Sequence, residues 1–316
     1  MTYIIAEVGG NHDGELQEAL NLVVEAAHSG ANAVKFQIYE ADKLVSKNLP
    51  AFSQAIGYKY QRDRFKDLEF KEKEWLEIIR VCQEIGIDFM ATCFDLESLE
   101  KYQMYMDRIK IASGDLTYKK LIERAAQYQK PILLSTGMAS FKEIQMASEW
   151  VPPHLLTVLH CVSCYPCADI NVNFPEMQKI MAFYPRVGYS DHTFGISACI
   201  AAASMGATVI EKHFTLDNSR LYGDHMHSAT PPEMKELVTH VNRINLMFGT
   251  ESKPFKCETE THRFRRGGYA ARDIEKGDTI RDIDILAVRP STDRMPHEYI
   301  GKMAEKDIKK GCSLDG

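Results

Sequence analysis

Hydrophobic positions in the first 248 residues follow two alternating rhythms. Short runs that are apolar at nearly every position, as in strands buried on both faces, fall at 3–8, 33–37, 88–93, 108–112, 131–135, 155–160, 186–189 and 208–212. Between them lie longer stretches with apolar residues three and four apart, the spacing of a helix with one buried face. Leu16, Ala19, Leu20, Val23, Val24 and Ala27 set that pattern for a helix over 15–29. Further helices are expected over 71–85, 96–105, 116–128, 141–150, 196–205 and 232–248. Gly86 is expected to close the first of these in a left-handed cap. A polar stretch at 39–69 reads as a long loop with broken helix. Eight strands separated by helices predict an α/β fold, a (β/α)8 TIM barrel. The competitor is an open doubly wound sheet, whose G-x-G-x-x-G first turn is not matched by Gly9-Gly10-Asn11-His12-Asp13-Gly14.

The rhythm stops at Gly249. A polar linker is expected over 250–263 and a small β-rich domain over 264–316, leaving 1–249 to the barrel. Within the small domain Asp273-Ile274-Glu275-Lys276-Gly277 recurs as Asp307-Ile308-Lys309-Lys310-Gly311. Gly316 ends the chain sooner than such a module is expected to need.

Composition narrows the picture only slightly. Hydrophobic content of 45% and charged content of 26% are ordinary for a globular protein. A net charge of −6 argues against nucleic acid or an anionic membrane as partner. No apolar run approaches the ~18 residues of a membrane span. Residues 1–7 run straight into a strand, and eight cysteines without a leader read as reduced thiols, so a cytoplasmic location is expected. Cys161, Cys164 and Cys167 have the C-x2-C-x2-C spacing of a cluster ligand set, but no fourth cysteine lies close in sequence.

A barrel collects its chemistry at the C-terminal ends of its strands. Those ends carry Glu7; Lys35 and Gln37; Thr92; Lys110 with Ser113, Gly114 and Asp115; Ser135; His160; Ser190, Asp191 and His192; and Glu211 with His213. A lysine inside a core strand buries an ammonium at a cost of several kcal/mol unless an anion meets it. Lys35 and Lys110, with Ser113 and Ser135 nearby, therefore suggest an anion pocket for phosphate or carboxylate. His192 and His213 end consecutive parallel strands and can face one pocket. Two imidazoles there suit a divalent metal, with Asp191 and Glu211 as ligands or orienting groups; the alternative is a pair of histidines bonded to loops.

Seven motifs now carry a resemblance. They are Glu7-Val8-Gly9-Gly10-Asn11-His12-Asp13-Gly14, Val34-Lys35-Phe36-Gln37, Lys110-Ile111-Ala112-Ser113-Gly114-Asp115, Leu134-Ser135-Thr136-Gly137-Met138, His160-Cys161, Ser190-Asp191-His192-Thr193 and Glu211-Lys212-His213-Phe214. In this order, from about residue 3 to 248, they resemble the sialic acid synthase family. That family condenses phosphoenolpyruvate with an N-acylated mannosamine-type sugar to give a nonulosonic acid. The small domain resembles the antifreeze-like (SAF) module appended to these synthases.

The resemblance implies a site. His192 and His213 would hold a divalent ion, Mn2+ before Mg2+ or Co2+, to polarise the sugar aldehyde. Glu7 and Glu211 would stabilise a cationic centre or handle the proton of water. Lys35, Lys110, Ser113 and Ser135, with Gln37 and Thr92, would hold phosphoenolpyruvate, and Tyr165, Asp224 and Arg289 the sugar. Asp115, Ser163 and Ser190 would also bind substrate, Ser163 by donating to phosphate. Arg289 would act in trans, from the small domain of the partner in a domain-swapped homodimer. Three departures are visible: Ser163 where some members carry asparagine, Asp115 where others carry glutamate, and a loop, Leu221-Tyr222-Gly223-Asp224-His225-Met226-His227, without the family's flanking proline. His225 and His227 are expected to be exposed loop residues rather than ligands. N-acetylneuraminate synthase is the first expectation; legionaminic or pseudaminic acid synthases, taking di-N-acylated 6-deoxy sugars, are the alternative. Synthases of shorter 3-deoxy sugar acids and a barrel that binds sugar or anion without turnover are the remaining rivals.

Overall fold

The computed structural model describes residues 1–51, 57–249, 258, 261 and 263–315. By their internal packing these fall into two compact units, Met1–Phe248 and Gly249–Gly316. The expected linker lies almost wholly outside the described residues.

In the first unit β1 (Tyr3–Gly9), β2 (Ala33–Ile38), β3 (Asp88–Cys93), β4 (Ile109–Ile111), β5 (Ile132–Ser135), β6 (Leu156–Cys161), β7 (Val187–Asp191) and β8 (Val209–His213) pair in parallel and in sequence order. The pairing of β8 with β1 closes the barrel, so no sheet edge is left open. This is the TIM barrel expected from the hydrophobic rhythm.

Helices α1 (Leu16–His28), α2 (Ala41–Leu44), α3 (Gln61–Asp67), α4 (Glu72–Ile85), α5 (Leu96–Tyr102), α6 (Lys119–Gln127), α7 (Phe141–Ser148), α8 (Phe174–Phe183), α9 (Ser197–Ser204) and α10 (Pro231–Phe248) connect the strands. Gly86 ends α4 at φ +82, the left-handed cap expected of it. The polar insertion holds α2 and α3; its residues 52–56 lie outside the described ones. α6 starts three residues later than expected, because Ser113–Asp115 form a 3-10 turn that turns the chain over the strand end. α8 is a helix absent from the expected set, although Phe174, Met177, Ile180 and Met181 fall at helical spacing. Pro175 stands in its first turn, where a missing N–H costs nothing, and only Met177 and Ile180 are buried. Among the described residues no helix is long and apolar enough to cross a membrane.

The barrel interior is layered by the two-residue period of strands. Ile5, Ala33, Met90, Leu133, Leu159 and Val209 form an apolar floor. Two residues further along the same strands stand Glu7, Lys35, Thr92, Ser135, Cys161 and Glu211, all buried. Gln37 and His213 come one step higher again. The apolar floor separates this polar layer from the lower end of the barrel, where Tyr3 OH donates to Asp88.

The second unit holds an antiparallel pair, β9 (Gly267–Ala270) and β10 (Ile285–Val288), over a small core of Ala270, Ile274, Ile280, Tyr299, Ala304, Ile308 and Leu314. Its sequence repeat is a structural one. Ile274 and Ile308 exchange both backbone hydrogen bonds at 2.8 Å. Asp307 accepts from the Lys276 N–H at 2.8 Å, and Asp273 returns the contact to the Lys310 N–H at 2.9 Å. Arg289 belongs to this unit; it is exposed, with its guanidinium 5.6 Å from the centre of the Phe264 ring.

Candidate active site

Strand pairing places the polar layer side by side. Glu7 is in register with Lys35 on one flank and His213 on the other, and Ser190 with Glu211. The side chains meet as that register requires. Lys35 Nζ lies 2.6 Å from Glu7, 3.7 Å from Glu211 and 3.2 Å from the Thr92 hydroxyl. Lys110 Nζ is 3.1 Å from Glu211, which also accepts from Ser190 Oγ at 2.8 Å, while Gln37 donates to Glu7 at 3.1 Å. Two ammoniums and two carboxylates thus alternate in a buried chain, the one arrangement that offsets their loss of water.

The two carboxylates are not equivalent. Burial pushes Glu7 above its ordinary value, and Lys35 only partly opposes this. Burial acts on Glu211 too, but Lys110 and Lys35, with the Ser190 hydrogen bond, more than offset it and hold it low. Glu211 is the fixed anion and Glu7 the group disposed to carry a proton, a division of the kind acid–base sites use.

Beside Lys110 the strand ends present hydroxyls. The Gly137 N–H donates to Ser113 Oγ at 3.0 Å. A Cβ on Gly137 would lie 2.1 Å from Ser163 Oγ, so only glycine lets the loops after β4, β5 and β6 close together. Ser135 Oγ, Ser163 Oγ and one oxygen of Asp115 are buried with no hydrogen-bond partner among the described residues. Burial raises the Asp115 carboxyl to about 6, against the pull of Lys110. Unpaired donors beside an ammonium are what a bound oxyanion would complete.

Further round the rim His192 and His213 face each other with ring centres 5.4 Å apart, and Tyr165 lies over His192 at 4.0 Å. His192 Nδ1 bonds the Val162 carbonyl at 2.7 Å, which leaves its other nitrogen free as a ligand. Burial holds His213 far below its ordinary value, so its ring is neutral. Gly9, at φ +56, gives the site its close approach: a Cβ there would stand 3.3 Å from both Asp224 and His213 and 3.4 Å from Glu7. Among the described residues no three His, Cys, Asp or Glu side chains gather closely enough to hold a metal ion. Two imidazoles with the remaining positions open fit a catalytic ion that substrate must reach, not a closed structural one.

Several expectations need correcting. Asp191 neither faces the pocket nor orients its imidazoles. It points outward, fully buried, and takes Lys212 Nζ at 2.7 Å and Tyr189 OH at 2.8 Å. His160 also points outward, bonding the Val172 carbonyl at 2.7 Å. Cys161 is the inward residue of β6, its sulfur 3.5 Å from Ser113 Oγ and 3.9 Å from His192 Nδ1. Cys164 is exposed and Cys167 buried, so the three do not share an environment. His225 and His227 are each 1% exposed rather than solvated. His227 is the site residue the sequence reading passed over, its ring 5.1 Å from His213.

The outward pair carries a prediction. Asp191→Asn leaves the Lys212 ammonium buried with no carboxylate, which should destabilise the barrel by roughly 3–5 kcal/mol in urea unfolding. An unchanged unfolding midpoint would show that the pair does not hold β7 to β8.

A closed (β/α)8 barrel thus gathers buried lysines, carboxylates, unpaired hydroxyls and an imidazole pair at its C-terminal rim. The comparisons make this specific: the model of the NeuB family matches residues 22–253, and the chain belongs to that family. An N,N'-diacetyllegionaminic acid synthase of Legionella pneumophila is 37% identical, over 99% of this chain and 93% of its own length. A human N-acetylneuraminate-9-phosphate synthase is 31% identical over 97% of this chain and 88% of its own. Among solved structures, an N-acetylneuraminic acid synthetase of Leptospira borgpetersenii, crystallised with citrate, is 35% identical with a TM-score of 0.73, covering 82% of this chain and 90% of that one.

Proposed function

We propose that this chain is a nonulosonic acid synthase. It joins phosphoenolpyruvate to the open-chain form of an N-acylated hexosamine and releases phosphate and a nine-carbon 2-keto-3-deoxy acid. The observation that carries this reading is the Lys35–Glu7–Glu211–Lys110 cluster together with unpaired serine hydroxyls and the His192–His213 pair.

In this reading Lys35 and Lys110 neutralise the phosphoenolpyruvate anion, while Ser113, Ser135 and Ser163, with Gln37, Thr92, Asp115 and Ser190, fix its orientation. The methylene carbon attacks the aldehyde carbon, and a C–C bond forms as the carbonyl oxygen becomes an alkoxide that takes a proton. Water adds to the cationic carbon left behind, losing a proton, and the C–O bond to phosphate then breaks to give the keto acid. Glu211, held ionised, stabilises the positive centre, and Glu7 moves the proton between water and the pocket. A divalent ion held by His192 and His213, Mn2+ before Mg2+ or Co2+, would supply Lewis-acid polarisation of the aldehyde oxygen. Tyr165 and Asp224 contact the sugar. By the family resemblance, Arg289 would come from a second copy of the chain and the small domain would be an antifreeze-like module.

For the acceptor, 37% identity to a diacetyllegionaminic acid synthase beside 35% to an N-acetylneuraminic acid synthetase supports a di-N-acylated 6-deoxy hexose at least as well as N-acetylmannosamine. Phosphate release is to be followed with phosphoenolpyruvate, Mn2+ and each of three sugars: the di-N-acetylated 6-deoxy hexose, N-acetylmannosamine and its 6-phosphate. One sugar should support turnover, and a chelator should stop it. No release with any N-acyl hexosamine would overturn the synthase reading.

A further inference from the structure

His227 has no part in the chemistry above, yet its ring is packed into the same pocket. Its centre lies 5.1 Å from His213, 5.7 Å from Tyr165 and 6.3 Å from His192. The ring is 1% exposed, and its Nε2 has no hydrogen-bond partner among the described residues. A buried nitrogen left unpaired costs ~1–3 kcal/mol, so a position that keeps one calls for an occupant.

The chain around His227 is held on both sides. His225 Nδ1 bonds the Thr215 hydroxyl at 2.7 Å, and its Nε2 lies 3.3 Å from Asp13, which Arg220 also grips at 2.9 Å. Asn11 donates to Ser228 Oγ at 2.8 Å, and the Ala229 N–H bonds the His213 carbonyl at 2.7 Å. The loop cannot swing the imidazole out to water without breaking these contacts. His227 is therefore fixed in readiness, as binding groups are.

Among the described residues no third His, Cys, Asp or Glu side chain gathers closely enough with His192 and His213 to share one ion, so His227 is not read as a further ligand of that ion. The organic substrate fits better. An aldehyde oxygen beside the His192–His213 pair puts the sugar's following carbons, each about 1.5 Å further on, within reach of the neighbouring His227 ring. Those carbons bear hydroxyls, which can donate to or accept from a neutral imidazole.

We propose that His227 is a specificity residue whose Nε2 hydrogen-bonds a hydroxyl of the bound sugar acceptor. This rests on the synthase reading. His227→Phe keeps the ring and removes its nitrogens, while His227→Gln returns a polar group near the Nε2 position. His227→Phe should raise KM for the sugar at least about tenfold, leave KM for phosphoenolpyruvate and the Mn2+ affinity measured by titration within about twofold, and be largely rescued in His227→Gln. If His227→Phe does not fold, His227→Asn, which moves the polar group toward the Nδ1 position, is read in the same way. Mn2+ affinity that falls together with sugar affinity would make His227 a metal ligand and overturn the proposal. So would an unchanged KM for the sugar, or a glutamine variant no better than phenylalanine. Wild-type protein that turns over no sugar overturns the synthase reading and this inference with it; active wild type beside unaffected variants overturns this inference alone.

Discussion

Glu211→Gln is expected to lower kcat for phosphate release by about three orders of magnitude or more and to destabilise the barrel by roughly 3–5 kcal/mol. Glu211 stands 3.1 Å from Lys110 and 3.7 Å from Lys35, and it is the carboxylate those ammoniums hold ionised. A neutral amide would leave them buried with only Glu7 as counter-charge. The same residue sets an acid limit. Because its folded carboxyl lies below the ordinary range, its contribution to stability is complete above the unfolded value and is lost as pH falls through the folded one. Glu211→Gln should remove that part of the acid limb. Steady-state kinetics and urea unfolding at several pH values would check both effects, and a kcat within tenfold of wild type would contradict the role.

His213→Ala is expected to abolish metal-dependent turnover while the protein stays folded, with Mn2+ affinity reduced at least about a hundredfold. The ring is buried, neutral and 5.4 Å from its partner imidazole. Its removal deletes one of two protein ligands in the proposed site, and a site with so few has none to spare. Far-ultraviolet circular dichroism would establish the fold and a Mn2+ titration the affinity. Activity equal to wild type would remove His213 from the metal site.

The barrel could be read from the sequence because strands buried on both faces announce themselves as apolar runs, and eight such runs fell in order. The inward set was readable for the same reason. Counting in twos from Ile5, Ala33 and Val209 arrives at Glu7, Lys35 and Glu211. The same count from Leu159 gives Cys161 rather than His160, so the inward residue of β6 is legible in the sequence. The same alternation turns Asp191, beside an inward His192, outward to Lys212. His227 was beyond any periodic rule. Its burial comes from contacts of its loop to Asn11, Asp13 and Thr215, two of them more than 200 positions away. α8 was readable too, since Phe174, Met177, Ile180 and Met181 fall three and four apart and turn Met177 and Ile180 into the core.

The most direct measurement is the structure of the product made from 13C-labelled phosphoenolpyruvate and the accepted N-acyl sugar, followed by NMR and mass spectrometry. The synthase reading predicts a new carbon–carbon bond joining the labelled methylene to the former aldehyde carbon, in a nine-carbon keto acid formed one-for-one with phosphate. Labelled pyruvate released free beside an unchanged sugar would contradict it.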